Sequence, residues 1–341
     1  MKKIVILLVI IFLVTGCTSK NDAGVVNILN WSSYIPDSVI LDFEKETGIK
    51  VNYGTYSSNE ECLAKIQSAK PGTYDLIFPS DYMIELMKKR NLLEPLDREK
   101  ILNWNNIADN YRRLDYDKEN KYSLPFLAAT TVIVVNREHI KDTITSYQDL
   151  LKPEYKNNIV LLDDQRIVIG MALQALGYDM NETNKEALKD AKEWLLKLKE
   201  NVKAFDSDSP KTFFLTNEVD IGVMWNAEAA IAKNKNPNLE VIYPKEGVAI
   251  SIDNFALPKG AKHKEQAYLF IDYILRPEVM QKIIEDYPYK NVNQATNLLL
   301  SSNYLNNPAS NIPDYVIKNG HFVNNIGDSI LDYDKLWAEI K

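Results

Sequence analysis

The sequence predicts an α/β protein that folds into two lobes. Short runs of β-forming residues alternate with amphipathic segments through the first half of the chain, which is typical of a parallel sheet covered by helices. The chain has 341 residues, more than one α/β core usually holds. Its hydrophobic and charged fractions, 45% and 26%, are those of a globular protein. We therefore expect two domains of ordinary size.

The first part of the chain contains three predicted strand–helix pairs. Gly48 stands where the first helix would end, and Ser58 with Glu61 forms a Ser-x-x-Glu capping box at the start of the second. Pro71 and Gly72 lie beyond the end of that second helix. The expected strands are 25–29, 49–53 and 74–78, and the expected helices are 37–48, 58 to before 71, and 80–91.

The second part continues the alternation and then changes character. Apolar runs predict buried strands at 130–136, 157–163 and 219–226. Helical periodicity predicts helices at 166–177, 184–201 and 263–275. Beyond about residue 298 the chain is rich in Asn, and we expect only short helices and loops there.

The N-terminus has the features of a lipoprotein signal peptide. Two lysines precede an apolar run at 4–14, which is shorter than the roughly 20 residues of a membrane-spanning helix. The run ends in LVTGC, which resembles a bacterial lipobox with cleavage before Cys17. This predicts a signal peptide at 1–16, a lipidated tether at 17–24 and a location outside the cytoplasmic membrane. A plain secretory signal that happens to contain a cysteine is the alternative.

Charge and cysteine content restrict the partners. The formal net charge is −7, and it becomes −9 when Lys2 and Lys3 leave with the signal peptide. A net acidic protein binds nucleic acid poorly and can accommodate cationic ligands. Cys62 is the one cysteine besides Cys17, so no intramolecular disulfide is expected, and its helical spacing predicts a core position.

Aromatic and acidic residues recur where predicted strands end. Ligands of open parallel sheets bind beyond the carboxyl ends of the strands, so these residues are the candidate site. Asp253 interrupts the apolar run AISIDNFALP, and an acid there needs a cationic partner or a hydrogen-bond network. The residues at these strand ends are Trp31, Ser32, Tyr34, Ser80, Asp81, Tyr82, Asp163, Asp164 and Trp225.

The sequence gives little support for catalysis or metal binding. None of the three histidines has a zinc-ligand spacing, and no nucleophile elbow, phosphate-binding loop or dinucleotide fingerprint is present. The adjacent Asp163 and Asp164 have no partner acid at the separation that glycoside hydrolysis needs. We expect no catalytic residues, no metal and no cofactor. A surface enzyme acting on cell-wall sugars through Asp164 or Asp253 remains the alternative from another class.

Rings paired with carboxylates favour an organic cation. An ammonium group over a ring gains about 0.5–1 kcal/mol when exposed and about 2 kcal/mol when desolvated. A carboxylate hydrogen bond to a charged donor adds about 1.5–3 kcal/mol. Two ammonium groups with one ring and one acid each would supply the roughly 8 kcal/mol of micromolar affinity. A neutral sugar stacked on Trp31 and Trp225 is the competing interpretation.

A series of motifs from about residue 26 onward resembles one protein family. These motifs resemble the spermidine/putrescine-binding lipoproteins and periplasmic proteins of polyamine ABC importers. The motifs, in order, are NWSSYIP, FPSDYM, YSLPF, LLDDQR with MALQALGY, IGVMWNAEA, YPKEG, SIDNFALP and IKNG.

The resemblance implies the two-lobed type II periplasmic-binding fold, with a ligand cleft between the lobes. It places lobe one at 25–131 and 253–297, and lobe two at 132–252 and 298–341. It also implies a monomer that presents polyamine to an ABC permease and its ATPase.

The resemblance also assigns roles to the candidate residues. Trp31 would be an aromatic wall along the methylenes, with Ser32 beside it, and Trp225 would stack on the ligand. Asp164 and Asp253 would anchor amines. Five further residues would complete the pocket: Tyr34, Ser80, Asp81, Tyr82 and Tyr289.

Several assignments have a structural alternative. Trp225 could pack in the core at the end of its apolar strand, and Asp81 could cap the helix that follows it. Asp163 is expected to cap the next helix, which leaves the neighbouring acid free for ligand. The pocket tyrosine near residue 289 could instead be Tyr287.

By the same resemblance, four positions depart from the family. Ile167 stands where Glu is usual, Ser251 where Trp or Phe is usual, Val323 where Gln is common and Ala128 where Trp is common. Glu228 is a candidate replacement acid. These departures leave open whether the ligand is putrescine, spermidine, another organic cation or a neutral oligosaccharide.

Overall fold

A computed structural model describes residues 24–341. The predicted signal peptide, most of the tether and Cys17 lie outside the described residues. Within residues 24–341, no helix combines the length and the apolar character needed to cross a membrane.

The described chain alternates strands and helices as predicted. The strands are β1 Val25–Trp31, β2 Lys50–Tyr56, β3 Leu76–Ile77, β4 Leu93–Glu94, β5 Leu124–Asn136, β6 Ile159–Leu161, β7 Val202–Phe205, β8 Ile221–Trp225, β9 Leu239–Ile242, β10 Ala249–Phe255, β11 Leu257–Pro258, β12 Lys290–Asn291 and β13 His321–Phe322. The α-helices are α1 Asp37–Thr47, α2 Asn59–Ser68, α3 Asp81–Lys89, α4 Gln165–Ala175, α5 Lys185–Lys199, α6 Lys211–Leu215, α7 Asn226–Lys235, α8 Lys264–Ile274, α9 Pro277–Asp286, α10 Ser302–Asn306, α11 Asp314–Lys318 and α12 Ile330–Ile340.

Short 3-10 helices fill several of the connections. They are Arg98–Lys100, Leu102–Asn106, Asp109–Tyr111, Asp115–Asp117, Tyr147–Leu151, Pro153–Tyr155, Gln294–Leu299 and Gly327–Ser329.

The first sheet is parallel, as the alternating pattern predicts. Its order is β2-β1-β3, with Val26 opposite Val51 and Leu29 opposite Ile77. Val26 and Ile28 of β1 and Val39 and Phe43 of α1 are buried in one core cluster. All three strands therefore point their carboxyl ends toward the same edge of the sheet.

The second sheet is mixed, whereas the parallel arrangement predicted from the first half of the chain holds for the first sheet. The long strand β5 runs antiparallel to β10 and β12 through its first half, and antiparallel to β8 and β9 through its second half. Only β6–β7, β6–β8 and β10–β13 pair in parallel. Strand β5 therefore pairs with one group of strands through its first half and with another through its second half, and it connects the two parts of the molecule.

The predicted lobe boundaries after residues 131 and 252 fall inside β5 and β10. Residues of β5 up to 130 pair with β10, whereas residues from 131 onward pair with β8. Beyond β10, Ala256 bridges to Ile77 of the first sheet. We propose that these two strands are the crossings between the lobes, with the segments assigned as above.

Other elements differ from the sequence-based expectation. Helix α12 has 11 residues, although only short helices and loops were predicted beyond residue 298. It packs against α4 and α5 through Tyr333, Leu336 and Ile340. These three residues lie in the same buried hydrophobic cluster as residues of α4 and α5. Helices α7 and α9 were not predicted. The Cys62 side chain is fully buried, which confirms its predicted core position.

Candidate functional site

A cavity lies where the carboxyl ends of several strands meet. It spans about 580 Å³ including the open space at its mouth. The structure brings nine of the ten predicted ligand-binding residues into its lining: Trp31, Ser32, Tyr34, Ser80, Tyr82, Asp164, Trp225, Asp253 and Tyr289.

The turn after β1 carries two aromatic side chains into this cavity. Ser33 has φ of 53°, in the left-handed region that a residue with a side chain adopts infrequently. The Trp31 indole Nε1 donates to the carbonyl oxygen of Phe78 at 2.9 Å, and its ring centroid lies 4.7 Å from that of Tyr56. The indole is therefore held in one orientation, with one face available to the cavity.

Asp253 is the most deeply placed carboxylate of the cavity. It is 4% exposed, and it accepts hydrogen bonds from the Ser80 hydroxyl at 2.6 Å and from the Tyr34 hydroxyl. Burial raises its pKa to about 6, and the two hydrogen bonds act in the opposite direction. Among the described residues it makes no ion pair with a lysine, arginine or histidine. The Asp253 carboxylate is thus held in place by two hydroxyl groups and has no cation paired with it among the described residues.

Tyrosine 289 completes the wall around Asp253. The Tyr289 ring centroid lies 4.7 Å from that of Tyr34, with the rings tilted by 52°. The side chain is buried and lines the cavity, whereas Tyr287 is not in the lining. The structure therefore places Tyr289, rather than Tyr287, at the site.

Trp225 approaches from the part of the chain assigned to lobe two. It ends β8 and directly precedes α7, so the change from strand to helix turns the indole toward the cavity. The side chain is partly buried and packs against two core clusters at once. Trp225 therefore has the core contact named as its structural alternative and also lines the cavity, and its stacking on a ligand stays a prediction.

Asp164 is the N-cap residue of α4. Its Oδ1 accepts from the backbone N–H groups of Arg166 at 2.9 Å and Ile167 at 3.1 Å. Burial raises the pKa of Asp164, and those hydrogen bonds and the charge of Arg166 oppose the shift. The prediction that Asp163 caps this helix is wrong, because Asp163 instead pairs with the Lys341 ammonium at 2.8 Å.

Two predicted residues lie outside the cavity. Asp81 is buried at the start of α3, and its Oδ1 accepts from the backbone N–H of Tyr82 at 2.9 Å. It lines a neighbouring cavity instead, and its assignment as a ligand contact stays a prediction. Glu228 is not a replacement acid, because both its oxygens are occupied by the Lys211 ammonium, at 2.7 and 2.8 Å.

Two charged residues in the lining were missed by the sequence interpretation. The Arg166 guanidinium is fully buried, donates to Asn181 Oδ1 at 3.0 Å and to the Asn324 carbonyl at 2.9 Å, and lies 5.4 Å from the Tyr82 ring centroid. Asp208 accepts a hydrogen bond from the Ser32 hydroxyl. Arg166 follows the acid in LLDDQR, and this adjacency was the available signal. Asp208 lies in a loop with no periodic pattern to mark it.

Smaller polar groups also line the cavity without having been predicted. The Asn59 side chain donates to the Ser80 hydroxyl at 3.0 Å and accepts from the Ser80 backbone N–H at 3.0 Å. This pair fixes the hydroxyl that in turn donates to Asp253. The other polar residues of this group are Ser57 and Ser207, and Ala129 adds an apolar methyl group to the lining.

Three of the four departures from the family pattern lie in the lining. Ile167, Ser251 and Val323 all face the cavity and are buried. Ala128 does not line it, because its position on β5 pairs with Ile252 and Lys290, and Ala129 faces the cavity instead. The part of the cavity wall formed by Ile167, Ser251 and Val323 is therefore uncharged, and the carboxylates lie on other parts of the wall.

The charge distribution suits a cationic ligand. Three carboxylates line the cavity, those of Asp164, Asp208 and Asp253, against one guanidinium that other groups already bind. Aromatic faces adjoin them, and a cation between a ring and a carboxylate is attracted by both. In residues 24–341, no three histidine, cysteine or acidic side chains are grouped as they would be around a metal ion.

Comparisons with known proteins agree with this geometry. Residues 38–311 match the family described as bacterial extracellular solute-binding protein. The chain is 38% identical over 322 residues to the spermidine/putrescine-binding periplasmic protein of Salmonella typhimurium, covering 94% of this chain and 92% of that protein. It is 31% identical over 337 residues to the putrescine-binding periplasmic protein PotF of Escherichia coli, covering 92% and 90%.

Solved structures show the same fold. The spermidine/putrescine ABC transporter substrate-binding protein PotD of Streptococcus pneumoniae superposes with a TM-score of 0.77 at 34% identity, over 93% of this chain and 98% of that one. The Tp0655 lipoprotein of Treponema pallidum gives a TM-score of 0.82 at 26% identity, over 93% and 99%. The predicted two-lobed type II fold is confirmed.

Proposed function

The chain belongs to the bacterial extracellular solute-binding proteins, and we propose that it captures a linear polyamine, putrescine or spermidine, and delivers it to an ABC import permease. The observation that carries this proposal is Asp253, a buried carboxylate that is oriented by Tyr34 and Ser80 and forms no ion pair within residues 24–341. Names of relatives that mention spermidine, putrescine and ABC transport support the same ligand class.

The cavity has carboxylates for the two ammonium groups of an aliphatic diamine and aromatic rings for the methylenes between them. One ammonium group pairs with Asp253 beside the adjoining rings of Tyr34 and Tyr289. The methylenes pack between Trp31 and Trp225, where their burial contributes about 0.8 kcal/mol per CH₂ group. The second ammonium group reaches Asp164 or Asp208 at the other side of the cavity. The ligand is bound and released without chemical change.

We further propose that the protein acts outside the cytoplasmic membrane, as a monomer tethered by lipid at Cys17. The lipobox-like LVTGC and the polar stretch that follows it support the anchor. Cys17→Ser should leave an unprocessed precursor that incorporates no labelled fatty acid. Labelling of that variant to the wild-type level would contradict the anchor.

A thermal-shift series on residues 24–341 tests the ligand class. A ligand that binds only the folded state raises stability by RT ln(1 + [L]/Kd). Putrescine or spermidine should raise the melting temperature, and neutral mono- and oligosaccharides should leave it unchanged. Equal shifts with sugars, or no shift with any diamine, would contradict the polyamine proposal.

A further inference from the structure

A buried arginine lies in the wall of a cavity that otherwise suits cations. Arg166 is the second residue of α4, lines the cavity and is 1% exposed. Within residues 24–341 it forms no ion pair with a carboxylate, and its buried Nε has no hydrogen-bond partner. The positive charge of Arg166 is therefore not cancelled by direct contact with an acid.

Four contacts hold the Arg166 guanidinium in one position. It donates to the Asn181 Oδ1 at 3.0 Å and to the Asn324 carbonyl oxygen at 2.9 Å, which are both neutral acceptors. The ring centroids of Tyr82 and Tyr333 lie 5.4 and 5.2 Å from its central carbon Cζ, so the planar group is also held by aromatic faces. A charge fixed in this way stays in the wall when a ligand enters.

The acid next to this arginine in sequence, Asp164, already has positive partners. Its Oδ1 accepts from the backbone N–H groups of Arg166 and Ile167, at the positive end of the α4 dipole. Burial raises the pKa of Asp164, and the charge of Arg166 is one of the effects that oppose the rise. Ile167 lines the cavity without adding an acid. The α4 end of the cavity thus has one carboxylate and one fixed cation.

The charges of the cavity lining match a diamine better than a triamine. Three carboxylates and one guanidinium give the lining a formal charge of −2, and these groups are Asp164, Asp208, Asp253 and Arg166. Glu60 accepts from the Tyr82 hydroxyl at 3.1 Å but does not line the cavity. The two ammonium groups of a diamine neutralise the lining, whereas a triamine brings one positive charge more than the lining can pair. An unpaired charge in a partly desolvated site is unfavourable.

We propose that Arg166 is a specificity-determining residue, whose fixed positive charge repels the third nitrogen of a triamine and makes the cavity selective for diamines. The inference rests on the proposed function, because it takes the ligand to be an aliphatic polyamine. A diamine pairs with carboxylates and needs no contact with the guanidinium. Removing the charge of Arg166 should therefore strengthen the binding of a triamine more than that of a diamine.

Competition titrations of putrescine and spermidine with residues 24–341, at about pH 7.5, measure this preference. The wild type should bind putrescine as tightly as spermidine or more tightly. Arg166→Met removes the charge and keeps the apolar stem, so it should raise the affinity for spermidine relative to putrescine by about tenfold. Arg166→Lys keeps the charge and should keep the wild-type ratio of the two affinities.

A second pair of variants leaves the arginine in place. Asn181→Asp puts a carboxylate beside the guanidinium, where the Asn181 Oδ1 now accepts its hydrogen bond, and cancels the charge without removing the side chain. It should shift the ratio toward spermidine in the same direction as Arg166→Met. Asn181→Ser changes the same position without adding a charge and should keep the wild-type ratio.

The outcomes separate this proposal from the proposed function. A wild type that strongly prefers spermidine, or a ratio that neither Arg166→Met nor Asn181→Asp changes, would overturn the role of Arg166 and leave polyamine capture intact. A shift of equal size in Asn181→Ser would also overturn it, because the effect would then not follow the charge. No binding of either polyamine to the wild type would overturn both proposals. If Arg166→Met does not fold, Asn181→Asp and its control decide the question.

Discussion

A buried carboxylate without a cation, Asp253, decides which ligands the cavity can hold. It was a candidate from the sequence, because an acid inside the apolar run AISIDNFALP needs a cationic partner or a hydrogen-bond network. Asp81 lines the neighbouring cavity instead, and no pattern in PSDY reveals that direction. Glu228 was misassigned because its partner Lys211 is 17 residues away in sequence.

The pKa of Asp253 predicts a pH-dependent affinity. Aliphatic ammonium groups stay charged below about pH 10, whereas Asp253 takes up a proton near pH 6. Putrescine affinity should therefore be constant above about pH 7 and fall by about tenfold per pH unit well below pH 6. Calorimetric titrations between pH 4.5 and 8 measure this, and an affinity independent of pH would contradict it.

The ligand-free protein should show the opposite trend in stability. The folded-state pKa of Asp253 lies above its unfolded value, so the folded state binds more protons between about pH 4 and 6. This group's contribution to the free energy of unfolding therefore decreases as pH rises through that window. Asp253→Asn should remove that contribution in denaturant titrations.

Ile167 and Ser251 predict weak discrimination between the two polyamines. A third cationic nitrogen needs its own partner, and both residues present uncharged surface to the cavity. Ile167→Glu combined with Ser251→Trp should strengthen spermidine binding more than putrescine binding in competition titrations. Ile167→Gln with Ser251→Trp is the control without the charge. A strong spermidine preference in the wild type, unchanged in the double variant, would contradict this and point to Asp208 as the third partner.

Among the elements, most strands and helices that end at the cavity were predictable, whereas the relative directions of the strands in the mixed sheet were not. Helices α1, α2, α4 and α5 agree with the predicted ranges to within a few residues because their apolar spacing and caps are local features. The direction of β5 relative to β8 depends on residues nearly 90 positions apart, which periodicity does not report. Helix α12 was missed because its apolar face is covered by other helices far away in sequence.

Substitutions of Asp164, the N-cap residue of α4, can distinguish its capping role from its proposed contact with the ligand. Asp164→Asn should keep the cap, because Asn accepts backbone N–H bonds as well as Asp does, whereas Asp164→Ala should lower the free energy of unfolding by about 1 kcal/mol. Both variants remove the charge, so both should weaken putrescine binding by a similar factor. Denaturant unfolding together with calorimetry measures the two effects. Wild-type affinity in Asp164→Asn would exclude this carboxylate as a ligand contact.

In the whole molecule, the cavity is a product of two lobes meeting. By the assignment proposed above, Trp31, Tyr34 and Asp253 belong to lobe one, and Asp164 and Trp225 belong to lobe two. The Ser32 hydroxyl donates to Asp208 across the cavity, so the two sides are in contact. Strands β5 and β10 connect the two lobes. Asp253 lies on β10, next to the proposed boundary between the lobes. A ligand that pairs with acids of both lobes would stabilise this closed arrangement.

The central claim is that Asp253 provides the charge that captures an ammonium group. Isothermal titration of putrescine into residues 24–341 and into Asp253→Asn tests it most directly, with Asp109→Asn, at an exposed position paired with Arg112, as the matched control. The near-isosteric Asn should keep the fold, as a wild-type circular dichroism spectrum would show, and putrescine binding should weaken by about 2–5 kcal/mol. The control should bind like the wild type. Unchanged putrescine affinity in a folded Asp253→Asn variant would contradict the claim.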